Sequence, residues 1–189
     1  MKVLLIAFAM LSATGAAAGV PTTHATPAEC PPSTLIEKQF GLRLEGQPRV
    51  IIYAELADTD SYAIGIGADG RISGFRRKLS VEGDHGVERF PVERLKSYDI
   101  PTRAAARIEQ VFTSALKEVR FSEEVEITTG KPNIYIIGTG RFFGEVRDSY
   151  RGSAEPALYL CGLLVTSMAN ERERDAAVNA LLERVSPSK

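Results

Sequence analysis

Hydrophobic and polar positions along this 189-residue chain change period three times, and each change predicts a different element. From Leu35 to Phe90 the period is two. Phe40, Leu42 and Leu44 alternate with Gly41, Arg43 and Glu45, and Val50 to Leu56 is a β-rich run after Pro48. Tyr62, Ile64 and Ile66 alternate with Ala63, Gly65 and Gly67. Asp69-Gly70 then supplies a hairpin turn into Arg71 to Leu79. Tight turns make consecutive strands antiparallel, so this half predicts a meander of about four strands, with Val87 to Val92 as a candidate fifth.

Between Ile100 and Phe121 the period lengthens. Ala105, Ile108, Phe112, Ala115, Leu116 and Val119 recur at three- and four-residue steps, which predicts an amphipathic helix starting near Pro101-Thr102. Strands return at Asn133 to Ile137 and Arg141 to Val146, joined through Gly138-Thr139-Gly140. Two helices close the chain. The first is capped at Ser153, with Ala157, Leu160, Cys161, Leu164 and Met168 as its stripe; the second buries Val178, Leu181, Leu182 and Val185. Runs of strands with tight turns and segregated helices predict an α+β fold: an antiparallel meander sheet with one central helix and two C-terminal helices packed on one face.

The first residues do not join this pattern. Lys2 precedes an unbroken apolar run of nine, Val3 to Leu11, and small residues ending in Ala16-Ala17-Ala18 come next. That order is the signature of a secretory signal peptide over 1–18, which implies a periplasmic or secreted protein. Nine residues are too few to span a bilayer as a helix, which takes about 20, so no membrane anchor is expected after cleavage. Residues 19–34 form a Pro/Thr-rich leader that contains His24, and 35–186 read as a single domain.

Charge narrows the classes of partner. The 23 Lys and Arg stand against 24 Asp and Glu, a net charge of −1, and no strong field favours nucleic acid. The cluster Arg76-Arg77-Lys78 reads as a solvated strand end. Export makes the two cysteines a candidate disulfide, Cys30 with Cys161, which would clasp the leader to the domain. The chain-entropy model assigns so long a loop about 4–5 kcal/mol. With no C-x-x-C, thiol redox chemistry is not expected.

Candidate chemistry is sparse. Gly65 to Gly70 matches G-x-G-x-x-G, but Arg71 to Leu79 reads as a strand and not as the helix start that a pyrophosphate needs. Asp58 opens like a calcium loop, yet Ala63 and Asp69 stand where Gly and Glu are required. Glu82, Asp84, His85 and Glu88 are the one cluster of the body that includes a histidine. They support an alternative in which the chain is a small hydrolase or metal-dependent enzyme. No G-x-S-x-G elbow accompanies them, and no cofactor or metal is implied.

Aromatics concentrate instead on the second hairpin and its exit, where Arg141, Phe143, Arg147 and Tyr150 interleave with Phe142. Adjacent Phe142 and Phe143 must point to opposite faces of a strand, so one is expected in the core. Aromatics rimmed by arginine are common at protein interfaces. The preferred reading is a non-catalytic exported domain that binds a protein or cell-envelope partner; an inhibitor or immunity-type periplasmic protein is a narrower version of it.

Overall fold

In the computed structural model most strands pair into one antiparallel sheet with helices on both sides, and two short strands form a separate ladder. The described residues are 28, 30–57, 60–78, 82–83, 86–87, 91–117, 133–140, 142–147 and 155–186, with backbone alone at 82–83 and 86–87. In chain order the elements are α1 (Pro32–Phe40), β1 (Val50–Glu55), β2 (Asp60–Ile66), β3 (Arg71–Lys78), β4 (Glu82–Gly83), β5 (Gly86–Val87), β6 (Glu93–Arg94), β7 (Tyr98–Asp99), α2 (Thr102–Lys117), β8 (Ile134–Thr139), β9 (Phe142–Arg147), α3 (Glu155–Ala169) and α4 (Arg174–Val185). The signal-peptide segment 1–18 and His24 lie outside the described residues.

The sheet runs β6-β3-β2-β1-β8-β9, with β7 also on β3, and every pairing is antiparallel. The β1–β2–β3 meander is therefore extended sideways. After α2 the chain returns as β8 beside β1, and β9 folds back as the last strand of the order. The fold is α+β, as the change of period predicts.

The turn between β2 and β3 is fixed from two sides. Gly70 has φ +91°, and a Cβ there would lie 2.1 Å from the Ile100 carbonyl oxygen. Only glycine lets the turn approach the segment leading into α2 so closely. The Ile100 N–H donates back to the Gly70 carbonyl at 3.0 Å.

Register assigns the side chains to faces. Ile52 lies opposite Ile64 on one side and Ile137 on the other, so these three share a face. On it the main core forms: Val50, Ile52, Ile64, Ile66, Ile72, Ile137 and Val146 pack with Ile108 and Phe112 of α2, Leu160, Leu164 and Met168 of α3, and Leu181 of α4. The helical stripes expected from spacing are buried where described, except that Val178 and Leu182 are only partly covered and Ala177 is buried; Val119 lies outside the described residues.

The opposite face carries a smaller core of Tyr53, Ala63 and Ile136 under Ile36 and Phe40 of α1. The Phe40 and Tyr53 rings meet edge to face at 6.4 Å. No strand forms where alternation predicts one from Phe40 to Glu45: Phe40 closes this helix and 41–49 are irregular before β1, and the helix itself crosses the boundary drawn at residue 34. The signals for it are present: Pro32 at its first position, Ile36 and Phe40 four apart, and Gly41 at φ +68° donating to the Glu37 carbonyl at 3.0 Å. The Arg77 guanidinium donates to the Gln39 carbonyl at the helix end.

The disulfide expectation is overturned. Both Cys30 and Cys161 are free thiols, with no cysteine pair at bonding distance. The reason is the two-sided build. Cys161 is wholly buried in the main core, whereas Cys30 sits two residues before α1, the helix of the opposite face.

Candidate functional site: the exposed β9 edge

The β8–β9 hairpin turns through two residues, because Thr139 and Phe142 are direct partners. Gly140 opens the turn at φ +57°. From there the strand alternates. Phe142, Gly144 and Val146 face the main core; Phe143, Glu145 and Arg147 face the α1 side. Val146 is fully buried, but Phe142 and Phe143 remain 45% and 38% exposed. The expectation that one of the two belongs to the core is not met. The cause is strand order: β9 is outermost, and no described strand lies beyond it.

On the α1 side, Phe143 lies opposite Gly138, and a Cβ on Gly138 would come within 2.8 Å of Pro32 Cγ. Phe143 thus borders the row on which α1 begins. Further along, Arg147 donates from Nε to Glu145, with side-chain exposures of 45% and 15%. Of the four residues singled out for binding, Phe143 and Arg147 share this face; Arg141 and Tyr150 lie outside the described residues.

The histidine cluster falls largely outside the described residues. Asp84, His85 and Glu88 lie outside the described residues, and Glu82 contributes its backbone to the β4–β5 ladder. Among the described residues no group of three His, Cys, Asp or Glu is placed to hold a metal.

A different polar cluster, with no short signature, sits on the main-core face of β2, β3 and β6. Arg76 reaches Glu93 at 2.6 Å and Asp60 at 3.8 Å, and the Tyr62 hydroxyl donates to Asp60 at 3.2 Å. The hydrogen bond to Glu93 raises the Arg76 pKa; burial, then the Asp60 charge, raises that of Tyr62. Each charge has a partner in the cluster, so its work is to fasten β6 to β3 and β2. Register brings these residues together, since Tyr62 and Glu93 both pair with Arg76.

A cleft of about 670 Å³ forms an open groove between α3 and α4. Tyr159 is half exposed there, with the Arg184 guanidinium 5.9 Å from its ring centroid. Glu155 and Glu183 share the rim. None of these groups is buried away from water, and the groove assembles no nucleophile with a base. Among the described residues no helix is long and apolar enough to cross a membrane. Comparison with family models, curated proteins and solved structures found no match.

Proposed function

We propose that this chain is an exported, non-catalytic domain that binds a protein or cell-envelope partner through the β9 edge. Export rests on the charge, apolar run and small-residue site of 1–18. Binding rests on one observation: adjacent Phe142 and Phe143 are both exposed, one on each face of an outermost strand. Burying such a ring stabilises a fold by about 1.5–3 kcal/mol, and this strand forgoes much of that for two rings in succession. Neighbouring exposed aromatics with an arginine on the same strand have the composition of an interface hot spot.

A photo-crosslinking side chain at position 142, introduced in the source organism, tests the reading. The expected result is a discrete adduct with an envelope or secreted protein, absent when the same group replaces Tyr159. The captured chain should have lost 18 residues by intact mass. Equal labelling from positions 142 and 159, or none from 142, overturns the binding reading; an unprocessed chain overturns export.

A further inference from the structure

We infer that the β9 edge is completed by a second copy of this chain, strand against antiparallel strand, so that one sheet continues through both copies. The inference rests on the reading of β9 as a contact surface and names its first occupant.

The two edges of the sheet are treated differently. At the far edge, β6 and β7 are two residues each, Pro91 stands just ahead of β6, and the exposed Glu93 and Arg94 are tied to Arg76 and Glu45 at 2.6 and 2.8 Å. Short strands, proline and charge are the devices that stop a sheet from growing. β9 is six residues long, free of proline, and carries two exposed phenylalanines.

Its backbone is set for pairing. Thr139 and Phe142 close a two-residue turn, so they exchange both ladder hydrogen bonds. Alternation then directs the N–H and C=O of Phe142, Gly144 and Val146 toward β8. Those of Phe143, Glu145 and Arg147 point outward, where no described strand receives them.

A two-fold contact must be self-complementary. With Glu145 opposite the partner's Glu145, Phe143 falls opposite the partner's Arg147, and Gly144 opposite the partner's Val146. A guanidinium then covers each Phe143 ring, and Gly144 sets no side chain against the partner's Val146, which stays in its own core. Two Arg147 and two Glu145 form a neutral group, which offsets the opposition of the glutamates. Three residue pairs that each exchange two bonds give about six new backbone hydrogen bonds. Both Phe142 rings stay on one face, doubled, for the outside partner. So small a contact predicts a dimer that dissociates at micromolar concentrations.

Sedimentation velocity of the leader-processed chain should show a concentration-dependent shift from monomer to dimer. Glu145→Pro removes an outward N–H and spares the β8 ladder; it should hold the chain monomeric with its circular dichroism unchanged. In a Cys30→Ser background, Glu145→Cys should cross-link two chains on mild oxidation, and Gly144→Cys should not. If Glu145→Pro unfolds the chain, this cross-linking pair decides alone. A chain monomeric at every concentration, a dimer that survives Glu145→Pro, or cross-linking by Gly144→Cys in place of Glu145→Cys overturns the inference. A monomer that still gives a foreign adduct from position 142 sinks the dimer and leaves the binding function standing. A dimer without that adduct does the reverse.

Discussion

The two faces of the sheet are built to different depths. On one, three helices bury Ile52, Ile64, Ile72, Ile108, Phe112, Leu160 and Leu164 until nothing of them is exposed. On the other, the nine-residue α1 covers Tyr53, Ala63 and Ile136, while Ile51, Phe75 and Ile134 stay partly open. The difference teaches where the stability of this chain resides and where surface is left over. The deep face accounts for the fold. The shallow face ends in the row that holds Phe143, whereas Phe142 stays exposed on the deep face because β9 is the outermost described strand.

Paired truncations break or sharpen this contrast most strongly. Phe112→Ala should destabilise by about 3–5 kcal/mol, since it opens a cavity among fully buried neighbours. Ile36→Ala on the shallow face should cost about 2–3 kcal/mol, because a single helix can settle into the gap. Urea unfolding of the two variants against the parent measures both. Equal losses would mean that α1 belongs to one undivided core, and the contrast between faces would fall.

A smaller effect tests how the deep face is closed at its margin. Tyr98 of β7, Ser167 of α3 and Arg174 of α4 meet at one point. Ser167 Oγ donates to the Leu164 carbonyl at 2.7 Å, so the 2.5 Å contact with Tyr98 is donated by the phenol. Burial raises the Tyr98 pKa and keeps that proton in place. The Arg174 guanidinium lies 6.0 Å from the ring centroid, and its Nε donates to the Ser167 carbonyl at 3.0 Å. Tyr98→Phe keeps the ring under Arg174 and deletes one hydrogen bond, so it should cost about 1 kcal/mol. A loss comparable with that of Phe112→Ala would make this joint part of the core and not its margin.

How far the sequence reveals this arrangement depends on the range of the deciding contact. The α2 stripe of Ile108, Phe112 and Leu116 is legible because helical burial is written every three or four residues. The β2–β3 turn is legible because Asp69-Gly70 carries its own backbone requirement. α1 is harder to see, since its Pro31-Pro32 start resembles the leader and its Phe40 also fits the alternation with Leu42 and Leu44. The polar cluster of Asp60, Tyr62, Arg76 and Glu93 has no local spacing; strand register creates it. The site itself is half legible. That Phe142 and Phe143 face opposite ways is a consequence of adjacency. That neither is covered comes from β8 joining β1 across an intervening helix, which leaves β9 outermost, and no local pattern states that.

The cysteines give the smallest and sharpest test of the two faces. Local spacing places Cys161 on a helical stripe, and export makes a bridge to Cys30 attractive, but neither says that the two lie on opposite sides of a sheet. Burial pushes the Cys161 thiol up, far from the neutral range, so almost none of it is thiolate, the form that reacts. Cys30 is only partly covered. Alkylation of the native chain at pH 8 without reductant should therefore modify one thiol, mapped to Cys30 by peptide mass, and a second only in urea. The sign is fixed by the burial: raising pH modestly leaves Cys161 silent until the deep face opens. If Cys161 reacted as fast as Cys30 in the native chain, the three-helix face would be opening on the timescale of labelling. The difference in depth would then be a difference in average structure alone, and not in stability.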